Sequence, residues 1–396
     1  MKHTSEVEPL PLSAAGDEAG IPLVDLAAQQ APLERELIAA FERVLRSQRF
    51  ILGPEVDAFE AEIAALIGVP HALGVSSGTD ALLLALMVLG IGPGDEVVVP
   101  AFSFFATAGC VARLGARPVF ADIDLETYTL DVDDVRAKLT SATRAIIPVH
   151  LYGQTCNLAA LRALATEHGL AMVEDAAQAL GAGIEPFRAG SVGELGCFSF
   201  FPTKNLGALG DAGLVTTRDA HLAQRARLLR AHGAEPKYHH ALVGGNFRLD
   251  AVQAACLRVK LPHLNAWTAA RQTHAQLYAR LFAEQCLPRD LLAVPVLQPG
   301  HVWHQYVIRT PRRDALQAHL REQQIGSEIY YPLPLHLQAC FAHIGHMLGD
   351  LPRSERAARE VLALPVYPEL KPRQIQRVVE TVCDFLRRTA RGGVAI

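Results

Sequence analysis

The chemistry of this chain gathers around Lys204, in the stretch Cys197-Phe198-Ser199-Phe200-Phe201-Pro202-Thr203-Lys204-Asn205. The lysine follows an apolar run that reads as a strand, and Phe200, Phe201 and Pro202 desolvate it. Burial disfavours an ammonium, lowers its pKa and frees the amine for Schiff-base chemistry. Most lysines sit in surface turns, and the apolar neighbours argue against that reading here. A second segment, Val173-Glu174-Asp175-Ala176-Ala177-Gln178, closes an apolar run with two carboxylates. A carboxylate in such a place is costly unless paired. A cationic ring nitrogen, a metal or an arginine would serve, and helix capping is the plainer alternative. A third, Val75-Ser76-Ser77-Gly78-Thr79-Asp80, precedes an apolar helix. Small residues there expose backbone N–H groups to an anion such as phosphate, although the same residues cap helices that bind nothing. A fourth, Gly244-Gly245-Asn246-Phe247-Arg248-Leu249, permits close backbone approach and by itself is a turn.

These segments need a frame. From Ile21 onward, short β-branched runs alternate with helical patterns. Strands are expected at 72–75, 96–99, 118–121, 145–149, 171–174, 196–201 and 213–217. Most are separated by stretches of helical spacing, such as 79–89, 107–114 and 158–168. Such alternation predicts an α/β fold with a mostly parallel seven-stranded sheet between helices. The last two strands lack room for a crossover and are expected to pair antiparallel. Ligands of open α/β sheets bind at the carboxyl ends of strands, where the segments above lie.

Beyond about residue 218 the pattern turns helical, at 221–231, 250–264 and 267–284. A proline-rich stretch follows, then a strand at 305–309 and a helix at 313–323. The expected organisation is a mobile tail over residues 1–20, a large α/β domain over 21–265 and a smaller α+β domain over 266–396.

Composition narrows the function. Of 396 residues, 37 are Lys or Arg and 41 are Asp or Glu, for a net charge of −4. That balance speaks against a general nucleic-acid binder or a membrane-surface protein. The longest apolar window, 81–91, is too short to span a bilayer, and the N-terminus lacks a signal-peptide pattern. Seven widely spaced cysteines with no CxxC point to reduced thiols in the cytoplasm. His336, Cys340, His343 and His346 stand at helical spacing, but spacing alone is a weak argument for a metal, and none is expected. Gly207-Ala208-Leu209-Gly210 falls short of GxGxxG, which disfavours a nicotinamide dehydrogenase, and there is no phosphate loop of the Walker type.

A Schiff-base lysine, an aspartate facing a ring nitrogen and a phosphate-accepting helix start are the three handles that pyridoxal 5'-phosphate requires. The motifs Ser77-Gly78-Thr79, Glu174 to Gln178, Phe198 to Asn205 and Gly245-Asn246-Phe247-Arg248 resemble those of the DegT/DnrJ/EryC1/StrS family of sugar aminotransferases. Tyr330-Tyr331-Pro332-Leu333-Pro334-Leu335-His336 is similar to that family's C-terminal substrate segment. The resemblance runs from about residue 21 to 386.

The resemblance implies the fold-type I aminotransferase architecture and a set of roles. Lys204 would carry the cofactor and shuttle the substrate proton, and Asp175 would pair with the pyridinium nitrogen. Gln178 would lie near the ring hydroxyl. Gly78, Thr79 and Ser199 would hold the phosphate. Phe104 would stack on the ring, with Phe102 and Phe105 as neighbours in the same run. Asn246 would reach the phosphate of a neighbouring subunit's cofactor, which implies a homodimer with shared sites. His150, Tyr152, Lys237, Tyr330, Tyr331 and His336 are substrate candidates. The implied reaction moves an amino group from L-glutamate or glutamine to a nucleotide-linked 3-keto or 4-keto sugar. It passes through pyridoxamine 5'-phosphate. A ketocyclitol aminotransferase and a non-catalytic cofactor-binding regulator are the alternatives.

Overall fold

The computed structural model describes residues 20–391, so the expected tail, apart from Gly20, lies outside the described residues. In chain order the strands are β1 (His71–Val75), β2 (Glu96–Pro100), β3 (Arg117–Ala121), β4 (Thr143–Ile146) and β5 (Ala171–Asp175). A small hairpin follows, β6 (Gly183–Ile184) and β7 (Phe187–Arg188), then β8 (Leu195–Ser199), β9 (Gly213–Thr217), β10 (Tyr306–Arg309) and β11 (Val361–Leu364).

Seven of these form one sheet in the order β1-β9-β8-β5-β4-β2-β3. β3, β2, β4, β5 and β8 run parallel, whereas β9 is antiparallel to β8 and to β1. β1 therefore points the same way as the parallel set, and all six of these strands end at one edge. The near-continuous Val97-Val98-Val99 run is fully buried, as a strand covered on both faces requires. β4 stops at Ile146, short of the expected Val149, because Pro148 has no N–H to carry the ladder on. The carbonyl of Pro148 still accepts from the Asp175 N–H at 2.9 Å.

Strand alternation divides the core. Cys197 faces one layer with Leu73, Val97 and Val173, under the helices Gly78–Leu89, Ala106–Arg113 and Ala220–Arg230. Phe198 faces the other with Phe59, Leu214 and Leu257, under Pro54–Ile67 and Ala251–Lys260. The single helix expected over 250–264 breaks at a 3-10 turn, Leu261–His263, whose Pro262 cannot continue an α ladder. A long helix, Leu264–Glu284, then leads into a second core. There β10 and β11 pair antiparallel beneath Leu264–Glu284, Arg313–Glu322 and Pro372–Arg391. Ile21 belongs to this second core and bridges Ile325, so packing does not follow a linear cut at residue 265. No described helix is long and apolar enough to cross a membrane.

Candidate active site

Three strand ends meet at the shared edge. Asp175 closes β5, Ser199 closes β8, and Ser77 to Thr79 follow β1. Lys204 lies in the turn between β8 and β9, its N–H bonded to the Phe201 carbonyl at 2.8 Å. Burial lowers its amine to about 8, against the opposing pull of the Asp175 charge. Asp175 is 5% exposed. Its Oδ2 accepts from the Thr107 hydroxyl at 2.8 Å and its Oδ1 from the Ala177 N–H at 3.2 Å. Burial pushes this carboxyl up, while Thr107, Ala177 and Lys204 hold it down. Lys204 and Asp175 thus share one desolvated space, each acting on the other's proton.

The helix Gly78–Leu89 opens beside them. Ser77 caps it by accepting from the Asp80 N–H at 3.0 Å, and the Ser76 hydroxyl donates to Asp80 Oδ2 at 2.6 Å. Its first N–H groups have no intrahelical acceptor. A Cβ at position 78 would stand 2.6 Å from Ser199 Cβ, so glycine there lets the helix start approach the end of β8. The three phenylalanines separate cleanly. Phe102 is 1% exposed and packs on Tyr128; Phe105 stacks on Phe341 at 5.8 Å; Phe104 is 55% exposed, its ring centroid 6.1 Å from that of Tyr331. Gln178 has both amide ends engaged. Its Oε1 accepts from the Tyr152 N–H at 2.7 Å, and its Nε2 donates to the Tyr331 hydroxyl at 3.3 Å.

Several candidates fall elsewhere. His150 is fully buried, behind the site rather than in it. Its Nδ1 accepts from the Cys156 N–H at 3.2 Å, which leaves Nε2 to donate to Glu174 at 2.8 Å. Both ring nitrogens are engaged, so none is left for a substrate. Glu174 also accepts from the N–H groups of Gly190, Val192 and Gly193. Tyr152 spends its hydroxyl on the Tyr330 carbonyl and is 3% exposed. His336 is 1% exposed, packed by Phe120 and bonded to Glu355 at 3.3 Å. These three residues support the walls and do not present polar groups to a ligand. Lys237 sits in an exposed loop, its ammonium 4.9 Å from the Tyr238 ring centroid. Asn246 is exposed and accepts from Arg248 Nε at 2.8 Å. Neither side chain bonds a residue of the cluster, although the Phe247 carbonyl next to Asn246 accepts from the Ser76 N–H at 3.2 Å. Tyr330, in contrast, lines a cavity of about 100 Å³ with Thr203, His304 and Gln305.

Sequence reasoning missed two contributors. Thr107 bonds Asp175 across 68 positions of sequence. His304 lies close enough to Lys204 to feel its charge and meets Asn205 at 3.2 Å. The Ser103/Thr107 spacing of four at a helix start was the one readable sign of the first; nothing local marks the second.

The arrangement has counterparts among known proteins. The chain is 50% identical over 372 residues to a "Pleiotropic regulatory protein" of Geobacillus stearothermophilus, covering 93% of this chain and all of that one. It is 47% identical to a "UDP-N-acetyl-3-dehydro-alpha-D-glucosamine 3-aminotransferase" of Acidithiobacillus ferrooxidans, covering 94% and 98% of the two chains. The crystal structure of DesV from S. venezuelae "in complex with ketimine intermediate" superposes with a TM-score of 0.90 at 45% identity, over 93% of this chain and 99% of that one. The profile described as "DegT/DnrJ/EryC1/StrS aminotransferase family" matches residues 32–383. With a match that spans both cores and the whole Lys204–Asp175 edge, the chain belongs to the DegT/DnrJ/EryC1/StrS aminotransferase family.

Proposed function

We propose that this aminotransferase uses pyridoxal 5'-phosphate to move an amino group from L-glutamate or glutamine to the keto carbon of a nucleotide-linked sugar, and that it works as a homodimer. The observation that carries the reading is the shared space of Lys204 and Asp175, a depressed amine beside a buried carboxylate. The residues present suit the cofactor. The amine matches its aldehyde, the carboxylate its ring nitrogen, and the helix start against Ser199 its phosphate, in a gap that a Cβ at position 78 would fill. When bound, the cofactor supplies an electron sink for the carbon that loses its proton.

The chain's own residues do the rest. Lys204 Nζ, lowered to about 8, is partly neutral near neutral pH and can take and return a proton at the reacting carbon. Asp175 holds a positive ring nitrogen by charge. Phe104 offers an exposed aromatic face, and Tyr331, fixed by Gln178, closes the opposite side of the aromatic wall. The name of the Acidithiobacillus relative supports a 3-keto sugar carried on UDP. Exposed Asn246, with Arg248 on its carbonyl oxygen, keeps its amide N–H groups for a partner's phosphate.

The name of the Geobacillus relative favours a second reading, a cofactor-binding regulator. One experiment separates them. Purified protein given glutamate should release 2-oxoglutarate, then aminate at least one of a panel of UDP- and dTDP-linked 3-keto and 4-keto sugars. Lys204→Ala should keep non-covalent cofactor and lose both half-reactions. Cofactor binding with no acceptor turned over, ketocyclitols included, together with DNA binding, would support the regulator.

A further inference from the structure

The structure assigns Thr107, backed by Ser103, as the positioning residue that keeps Asp175 ionised and fixed in orientation. The inference rests on the cofactor reading above and concerns residues that the sequence motifs do not include.

The hydroxyl of Thr107 is 2.8 Å from Asp175 Oδ2, and the hydroxyl of Ser103 is 2.9 Å from that of Thr107. Thr107 is fully buried, Ser103 is 3% exposed and Asp175 is 5% exposed. Water does not compete for these bonds, so their direction can be worked out. An ionised carboxylate only accepts, and a hydroxyl has one proton. The proton of Thr107 is therefore committed to Asp175, and Ser103 must donate into Thr107. Thr107 is the second residue of the helix Ala106–Arg113, near its positive end, and Ser103 stands three residues before that helix. The result is a one-way chain of donors, Ser103 to Thr107 to Asp175, with the Ala177 N–H on the other oxygen.

The remaining groups around Asp175 do not substitute for this chain. Lys204, His150, Cys110, Cys197 and Tyr331 are the titratable groups whose charges couple to it. The His150 ring bonds Glu174 and the Cys156 N–H and gives no hydrogen bond to the Asp175 carboxylate. Burial first, with Asp175 adding to it, keeps both thiols and the Tyr331 phenol protonated. The lysine would be occupied by the cofactor aldehyde. Thr107 and Ala177 are then the fixed donors that oppose the upward push of burial on this carboxyl. A protonated Asp175 could not hold a positive ring nitrogen by charge.

The test uses the full-length protein stripped of cofactor and titrated with pyridoxal 5'-phosphate, followed by absorbance. Thr107→Val keeps the shape and removes the proton. It should weaken cofactor binding by about tenfold or more, the range for a lost hydrogen bond to a charged group. It should also move the pH midpoint of the bound cofactor's absorption band. Thr107→Ser should restore both to within about twofold of the parent, well inside the effect of a lost bond. Ser103→Ala, which leaves Thr107 in place, should fall between and serves if the valine variant does not fold. The inference is overturned if Thr107→Val or Ser103→Ala matches the parent in affinity and pH midpoint. It is also overturned if Thr107→Ser is as impaired as Thr107→Val, which would make the role one of packing. A parent protein that takes up no cofactor would instead remove the reading on which the inference stands.

Discussion

Glu174 and Asp175 are adjacent in sequence and do different work, because successive side chains of a strand point to opposite faces. Asp175 turns to the site and Glu174 to a loop behind it. The charge at Asp175 and the amine at Lys204 make the residue scale testable by pH. In the cofactor-free protein Lys204 titrates near 8, below its ordinary 10.5, chiefly through burial. The unfolded chain therefore binds more protons than the folded one between these values, and stability rises with pH across that window. Below about 8 the full penalty is present. Lys204→Met should raise the melting temperature of the cofactor-free protein at pH 7, and the gain should shrink as pH climbs through 8 toward 10.5. Melting curves at several pH values would check this; a pH-independent gain would mean that the lysine is not desolvated. Gly78 gives a second test. Gly78→Val should drive a side chain into Ser199 and reduce cofactor uptake by about fivefold to a hundredfold, as overpacking of a close contact costs roughly 1–3 kcal/mol. Uptake equal to the parent's would deny that the two segments must touch.

Elements, rather than single side chains, set where those residues stand. β5 is held to the loop before β8 by the Glu174 carboxylate, which takes three backbone N–H groups and the His150 ring at 2.7–2.9 Å. Burial alone would raise this carboxyl; the bonds from His150, Gly193 and Gly190 hold it below the usual range. Glu174→Gln turns one acceptor into a donor facing donors. It should cost about 2–4 kcal/mol of stability, since a buried N–H left without a partner bears its full desolvation penalty. A urea melt would show it as a lower midpoint at unchanged slope; an unchanged midpoint would mean the loop is held by other contacts. The strands were legible in the sequence because parallel strands are apolar throughout and are bounded by glycine, proline and small polar residues. Lys204, Asp175 and Ser77-Gly78-Thr79 were legible for the same reason, each standing at the end of such a run. Thr107 was not, for its value comes from β2 and β5 ending at one edge, and no local pattern states that pairing. The helices Glu34–Ser47, Pro54–Ile67 and Pro372–Arg391 went unread because helical spacing alone does not tell which face is buried or against what.

At the scale of the whole molecule, the helix Glu34–Ser47 is amphipathic in an unusual way. One face, with Leu37, Ala40 and Val44, packs on Ala251, Ala255 and Cys256 of the helix Ala251–Lys260. Another presents Ile38, Phe41 and Leu45, all about half exposed, and Phe50 and Ile51 extend the patch beyond the helix end. A contiguous apolar patch of this kind is what association covers. The proposed dimer gives it an occupant, a second copy of the chain, and would offer Asn246 a partner's cofactor phosphate. Phe41→Glu should therefore place a charge in a dry interface and weaken association at least about a hundredfold. Light scattering with size exclusion would show monomers at micromolar concentration. Cofactor uptake should fall with the dimer, because each site would lose the amide that the other chain supplies. Asn246→Ala separates the two effects: it should weaken cofactor binding while the dimer persists. A parent chain that runs as a monomer and still takes up one cofactor per chain would show that each subunit builds its site alone.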